Sequence, residues 1–148
     1  MNKMPSEFIK LQARAVPATF ANTEKVTDAI AVADYWQFVF VLAIGDVAAE
    51  TVDFRLEVAD DSGFTTNKTT LKAATQLAAH ASNNDSKEII LEARNEDIIR
   101  VSATALYIRG RAITGGATGG PMAILGFGVY PRYGKGSHRA SVVEVARP

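Results

Sequence analysis

The segment VDFRLEVAD, residues 52–60, alternates without a break: Val52, Phe54, Leu56 and Val58 interleave with Asp53, Arg55, Glu57 and Ala59. Side chains of an extended chain point to opposite sides in turn, so this period of two makes one apolar and one largely charged face. Such a segment is a half-buried strand that needs a second layer to cover its apolar side. The charged side predicts a solvated outer face for Asp53 and Glu57 in preference to a carboxylate pair for glycoside hydrolysis.

WQFVFVLAIG, residues 36–45, places Trp36, Phe38, Phe40, Leu42 and Ile44 on one side and Gln37, Val39, Val41 and Ala43 on the other. With apolar residues on both sides it reads as a central strand covered on both faces. The short connection Gly45 to Ala49 has hairpin length and predicts antiparallel pairing between these two strands. Similar runs occur at 28–33 (DAIAVA), 88–93 (EIILEA), 100–108 (RVSATALYI), 122–130 (MAILGFGVY) and 141–146 (SVVEVA). TTLKAATQLAAHA, 69–81, mixes helix-favouring alanine and leucine with a position inside a strand series, and strand is the expectation. Turn-rich pieces separate these runs, among them DDSG at 60–63 and GGATGGP at 115–121, the latter expected to be a hairpin tip. The sum is an all-β fold, a single β-sandwich of about seven to eight antiparallel strands with jelly-roll or immunoglobulin-like connectivity over residues 26–148. Residues 1–25 do not join the pattern and are expected to form an N-terminal extended arm.

Composition narrows the function. A chain of 148 residues is the size of one domain. With Lys plus Arg and Asp plus Glu at 16 each, no net field gathers nucleic acid. The absence of cysteine removes disulfides, thiolate metal sites and a Cys nucleophile. No window approaches the roughly 18 apolar residues of a membrane helix, so no membrane partner is expected. Lys10, Gln12 and Arg14 interrupt any apolar leader core in MNKMPSEFIKLQARAV, which predicts a protein made and kept in a cytoplasm.

The chemical motifs fail on spacing. GVYPRYGKG, 128–136, puts five residues between Gly128 and Gly134, and Lys135 is followed by Gly136 where a phosphate loop needs a hydroxyl residue. GGATGGP has no lysine and leads into a strand-like run. His80 and His138 lack partners at metal-ligand spacing. Ser137 and His138 are neighbours whose side chains diverge on an extended chain. DDSGFTTNKTTL begins like a calcium loop but lacks its glycine and closing glutamate, so Asp60 and Asp61 are read as turn-fixing residues. Neither a catalytic group nor a cofactor is expected. Among the aromatic residues, Trp36, Tyr107 and Tyr130 read as core or rim residues and Tyr133 as the exposed one.

The order WQFVFVLAIGD, VDFRLEVADDSG, EIILEARNED and VYPRYGKGSHRASVVEVARP resembles small capsid decoration, or cement, proteins of tailed bacteriophages. The likeness covers roughly residues 25–148, and its most specific pieces are LEVADDSG, EIILEAR, GVYPRYG and the SVVEV ending. It implies a non-enzymatic β-sandwich on the virion surface, made in the host bacterial cytoplasm, that binds the major capsid protein and itself, with a trimer the expected homo-oligomer. On that view the partner contacts are expected at Phe8, Ile9 and Leu11 of the arm and at Arg132, Tyr133, Lys135 and Arg139 of the basic, aromatic segment. A carbohydrate-binding sandwich is the alternative, supported by Tyr133 and the turn carboxylates.

Overall fold

The computed structural model describes residues 5–20, 23–47, 50–77, 86–116, 119–133, 137–140 and 142. In chain order the elements are α1 (Pro5–Phe8), β1 (Ile9–Phe20), β2 (Glu24–Val26), β3 (Ile30–Ala31), a 3-10 turn (Val32–Asp34) and β4 (Tyr35–Ile44). There follow β5 (Val52–Ala59), β6 (Thr69–Ala73), β7 (Lys87–Arg94), α2 (Asn95–Val101), β8 (Tyr107–Thr114) and β9 (Gly120–Pro131). They build two antiparallel sheets, one of four strands in the order β1-β9-β4-β7 and one of five in the order β2-β8-β5-β6, with β3 also pairing with β8. The chain is an all-β sandwich.

Alternation explains the core. Phe38, Phe40, Leu42 and Ile44 of β4 face Val52, Phe54, Leu56 and Val58 of β5, and all eight are buried. Burying side chains of this size yields about 1.5–3 kcal/mol each, which drives the two sheets together. The Phe40 ring needs room that a side chain would take: a Cβ on Gly126 would lie 2.6 Å from Phe40 Cε1. A glycine inside a strand here marks close packing of a ring on backbone.

Several expectations are corrected by the pairing. β4 and β5 are not hairpin neighbours, because β4 pairs with β7 and β9 while β5 pairs with β6 and β8. The connection between them crosses from one sheet to the other, drawn inward by Val47, which is fully buried. GGATGGP does not close a hairpin either, since β8 and β9 lie in different sheets; its Ala117 and Thr118 lie outside the described residues.

Within residues 1–25, the segment Ile9–Phe20 is a strand of the sandwich, antiparallel to β9 along the sheet edge. Register shifts between Leu11 and Ala13 and between Ala15 and Ala18 interrupt its alternation, and Pro17, which lacks an N–H, sits inside the second.

The expected strand 100–108 is found only at its end, Tyr107 and Ile108; Arg100 and Val101 close α2, and an irregular turn follows. The helix forms because Asp97 accepts the Arg94 N–H at 3.1 Å and Ile98 plugs the core. The run 28–33 shortens to β3 and the 3-10 turn. In 69–81, β6 ends at Ala73 and Leu77 makes one isolated bridge to Val52. Residues 78–85 and all of 141–146 except Val142 lie outside the described residues, and Val142 is not in a strand.

Candidate functional site

β4 begins and β9 ends at the same end of the four-stranded sheet, where Tyr35 pairs with Pro131 and the Arg132 N–H donates to the Asp34 carbonyl at 2.9 Å. This bond carries the chain past the sheet and sets the Arg132 guanidinium over the Trp36 ring, 4.2 Å from its centroid. Trp36 is 56 % exposed and Tyr133 82 %. Of the two placements expected for Trp36, core or rim, it takes the rim: at the start of β4 it is Tyr35 that turns inward, edge-on to Phe38. Burial, and then the neighbouring Asp34 carboxylate, push the Tyr35 phenol above its ordinary value.

Beside Trp36 and Arg132 opens a cleft of about 430 Å³, lined also by Gln37, Arg94, Asn95 and Ile99. Its floor is fixed by Asn95, a buried residue whose Nδ2 donates to the Tyr35 carbonyl at 2.9 Å and so ties α2 to the start of β4. Arg94 and Glu96 form an exposed ion pair at its rim.

On the β1 side of the same end, the Phe8 and Tyr130 rings stack with centroids 5.7 Å apart, and Tyr130 reaches this position with φ at 55°. Tyr130 is an exposed rim residue and Tyr107 is partly buried. Ile9 is in register with Val129 and Leu11 with Phe127. The structure thus gathers Phe8, Ile9, Arg132 and Tyr133 at one end of one sheet, with Leu11 two residues along β1.

Arg139 lies elsewhere, on the outer edge of β1. Its N–H donates to the Leu11 carbonyl at 2.9 Å, its guanidinium pairs with Asp28, and the Leu11 N–H donates to His138 Nδ1 at 3.1 Å. Lys135 and His80 lie outside the described residues.

The other polar cluster is structural. Glu57, expected in solvent, is only 2 % exposed. Arg109 donates to its Oε2 through Nε and Nη2 at 3.0 and 2.8 Å, Arg111 to Oε1 at 3.0 Å, and Arg55 Nε lies 3.3 Å away. Phe64 covers Arg109 with its ring 4.1 Å from the guanidinium, and Glu24 of β2 pairs with Arg111. Three accepted hydrogen bonds from Arg109 and Arg111, with Arg55 in ion-pair range, turn this buried carboxylate toward its own arginines and away from any substrate. Instead it fastens β5, β8 and β2.

Asp61 is a turn residue, accepting N–H bonds from Gly63, Thr65 and Thr66. Among the described residues no three His, Cys, Asp or Glu side chains gather to hold a metal. No described helix is long and apolar enough to cross a membrane.

Sequence reasoning missed the exposure of Trp36, the Phe8–Tyr130 stack and the outward apolar face of β4. The signal for the last lies in Val39 and Val41: apolar residues on the second side of a strand predict a covered face, and here that side is only partly buried. No protein-family model matches the chain, and no curated protein matches its sequence.

Proposed function

We propose that this chain is a virion structural protein that docks on the outer face of a phage capsid shell and stabilises it. The observation that carries the proposal is the grouping of exposed Trp36 and Tyr133 with half-buried Arg132 at one end of the four-stranded sheet. Tryptophan, tyrosine and arginine dominate the energetics of protein interfaces, because each offers a large rigid contact area with a polar handle. Phe8 and Tyr130 extend the same end. The sequence resemblance to cement proteins supports the major capsid protein as the partner and a non-enzymatic role. The test is binding of the purified chain to expanded shells that lack it. Occupied, heat-stabilised shells are expected with the wild type, and at least tenfold weaker binding with Trp36→Ala plus Tyr133→Ala. Shells that neither bind the chain nor gain stability would remove the proposal.

The cleft beside the exposed Trp36 ring favours one second reading, a glycan-binding module, since sugars stack on aromatic faces between polar side chains. Specific signals on a glycan array that Trp36→Ala abolishes would place it first.

A further inference from the structure

Register across the four-stranded sheet aligns its outward side chains in rows. Phe127 and Val39 lie in line with Glu92, and Arg14, Leu125 and Val41 with Ile90; Glu88 follows in the next row. The middle of this face is apolar. Ile90 is 60 % exposed and Leu125 37 %, while Val39, Val41 and Phe127 are only partly buried. The rims are of opposite net charge: Arg14 stands on β1, and β7 carries Glu88 and Glu92 ahead of Arg94, whose charge is already paired with Glu96. Arg14, Glu88 and Glu92 make no ion pair among the described residues.

We propose that this face is a self-association surface, covered by a second copy of the chain about a two-fold axis that runs along the strands between β9 and β4. The proposal goes beyond capsid docking, does not depend on it, and puts a two-fold dimer where the resemblance to cement proteins implies a trimer. Such an axis lays Leu125 over the partner's Val41 and β1 over the partner's β7. Arg14 then meets the row of the partner's Ile90, between two glutamates that lie about 7 Å to either side along the strand. Packed sheets stand about 10 Å apart and cross at about 30°, a rotation that carries Arg14 toward one of those glutamates. An axis across the strands would instead set Arg14 on Arg14 and the glutamates on glutamates, which like-charge repulsion disfavours.

The face is small. Four strands and six residues of strand length, charged rims included, make about 19 by 20 Å, roughly 400 Å² in projection. That is about half of the roughly 800 Å² each partner gives to a standard interface, so the expected dimer is a weak one that forms at micromolar concentration.

The experiment is sedimentation equilibrium of the full chain over a range of micromolar concentrations, with circular dichroism to verify folding. The wild type is expected to be a dimer. Arg14→Glu should weaken it at least about tenfold, as should Glu88→Arg plus Glu92→Arg, and the three changes together should restore wild-type affinity to within about threefold. Leu125→Lys should give a folded monomer. A wild-type monomer throughout, a trimer, or a dimer indifferent to Arg14→Glu and Leu125→Lys would each overturn the proposal.

Discussion

Gly119 donates its N–H to Glu50 Oε1 at 2.7 Å, and this bond ties the approach to β9 in one sheet to the approach to β5 in the other. The start of β9 is held there against Asp46 and Val47, which follow β4.

Gly120 shows how tight that packing is. A Cβ there would collide with the Asp46 carbonyl oxygen and lie 2.5 Å from Val47 Cα, both backbone atoms that cannot swing away. Gly120→Ala is expected to cost about 2–3 kcal/mol, the upper part of the range for overpacking. Gly63→Ala, whose nearest neighbour is the exposed Asp61 carboxylate at 3.1 Å, needs a shift of only a few tenths of an ångström and should cost less than about 1 kcal/mol. Urea unfolding of both variants checks the contrast, and equal losses would mean that the start of β9 is not packed as described.

Glu57 and Glu96 each pair with arginine, in opposite settings. Glu57 is buried among Arg55, Arg109 and Arg111, whereas both members of the Glu96–Arg94 pair are exposed. Removing one partner of a buried charge cluster leaves the remaining charges desolvated and uncompensated. Glu57→Ala is expected to lose about 3–5 kcal/mol of unfolding free energy. Glu96→Ala should change it by no more than about 0.5 kcal/mol, since exposed pairs are screened by water and ions. Chemical denaturation of both variants in one buffer decides the matter.

The contrast between β4 or β5 and the rest of the chain shows what periodicity can carry. Both strands face one core along their length, so Phe38, Phe40, Phe54 and Leu56 are legible as a buried face from the sequence alone. Alternation specifies a face and not a neighbour, which is why 45–49 and 115–121 passed for hairpin loops. In β1 the two bulges shift the phase of the alternation, and twelve residues of strand read as an arm. Seven residues of α2 are too few for a helical period to stand out. At the candidate site, Tyr133 was legible from its loop setting. The Trp36–Arg132 stack joins residues 96 positions apart and depends on how β9 leaves the sheet.

Asp61 gives the fold a defined acid sensitivity. The Thr66 N–H foremost, with those of Thr65 and Gly63, stabilises its ionised form and lowers its pKa below the ordinary 3.8. For a carboxyl depressed in the folded state, the stabilisation is fully present above the unfolded value and is lost as pH falls through the folded one. Asp61→Asn should therefore flatten the fall of stability with acid below about pH 3.8, while changing its slope little near neutrality. Stability measured against pH for both proteins tests this, together with the Asp61 carboxyl shift in an NMR titration. An Asp61 that titrates at or above 3.8 would contradict the turn geometry.

Trp36 is the single tryptophan of the chain, so its fluorescence reports on the candidate site alone. The Arg132 guanidinium covers one face of the ring at 4.2 Å and restricts the approach of solutes from that side. Arg132→Ala should raise quenching by acrylamide while costing only about 0.5–1 kcal/mol of stability, the worth of an exposed cation–π contact. Arg94→Ala, at the far rim of the cleft, leaves the ring face covered and should leave quenching near the wild-type value. If Arg132→Ala leaves quenching unchanged, the guanidinium does not rest on the ring in solution, and the aromatic end would offer Trp36 and Tyr133 to a partner without the positive charge between them.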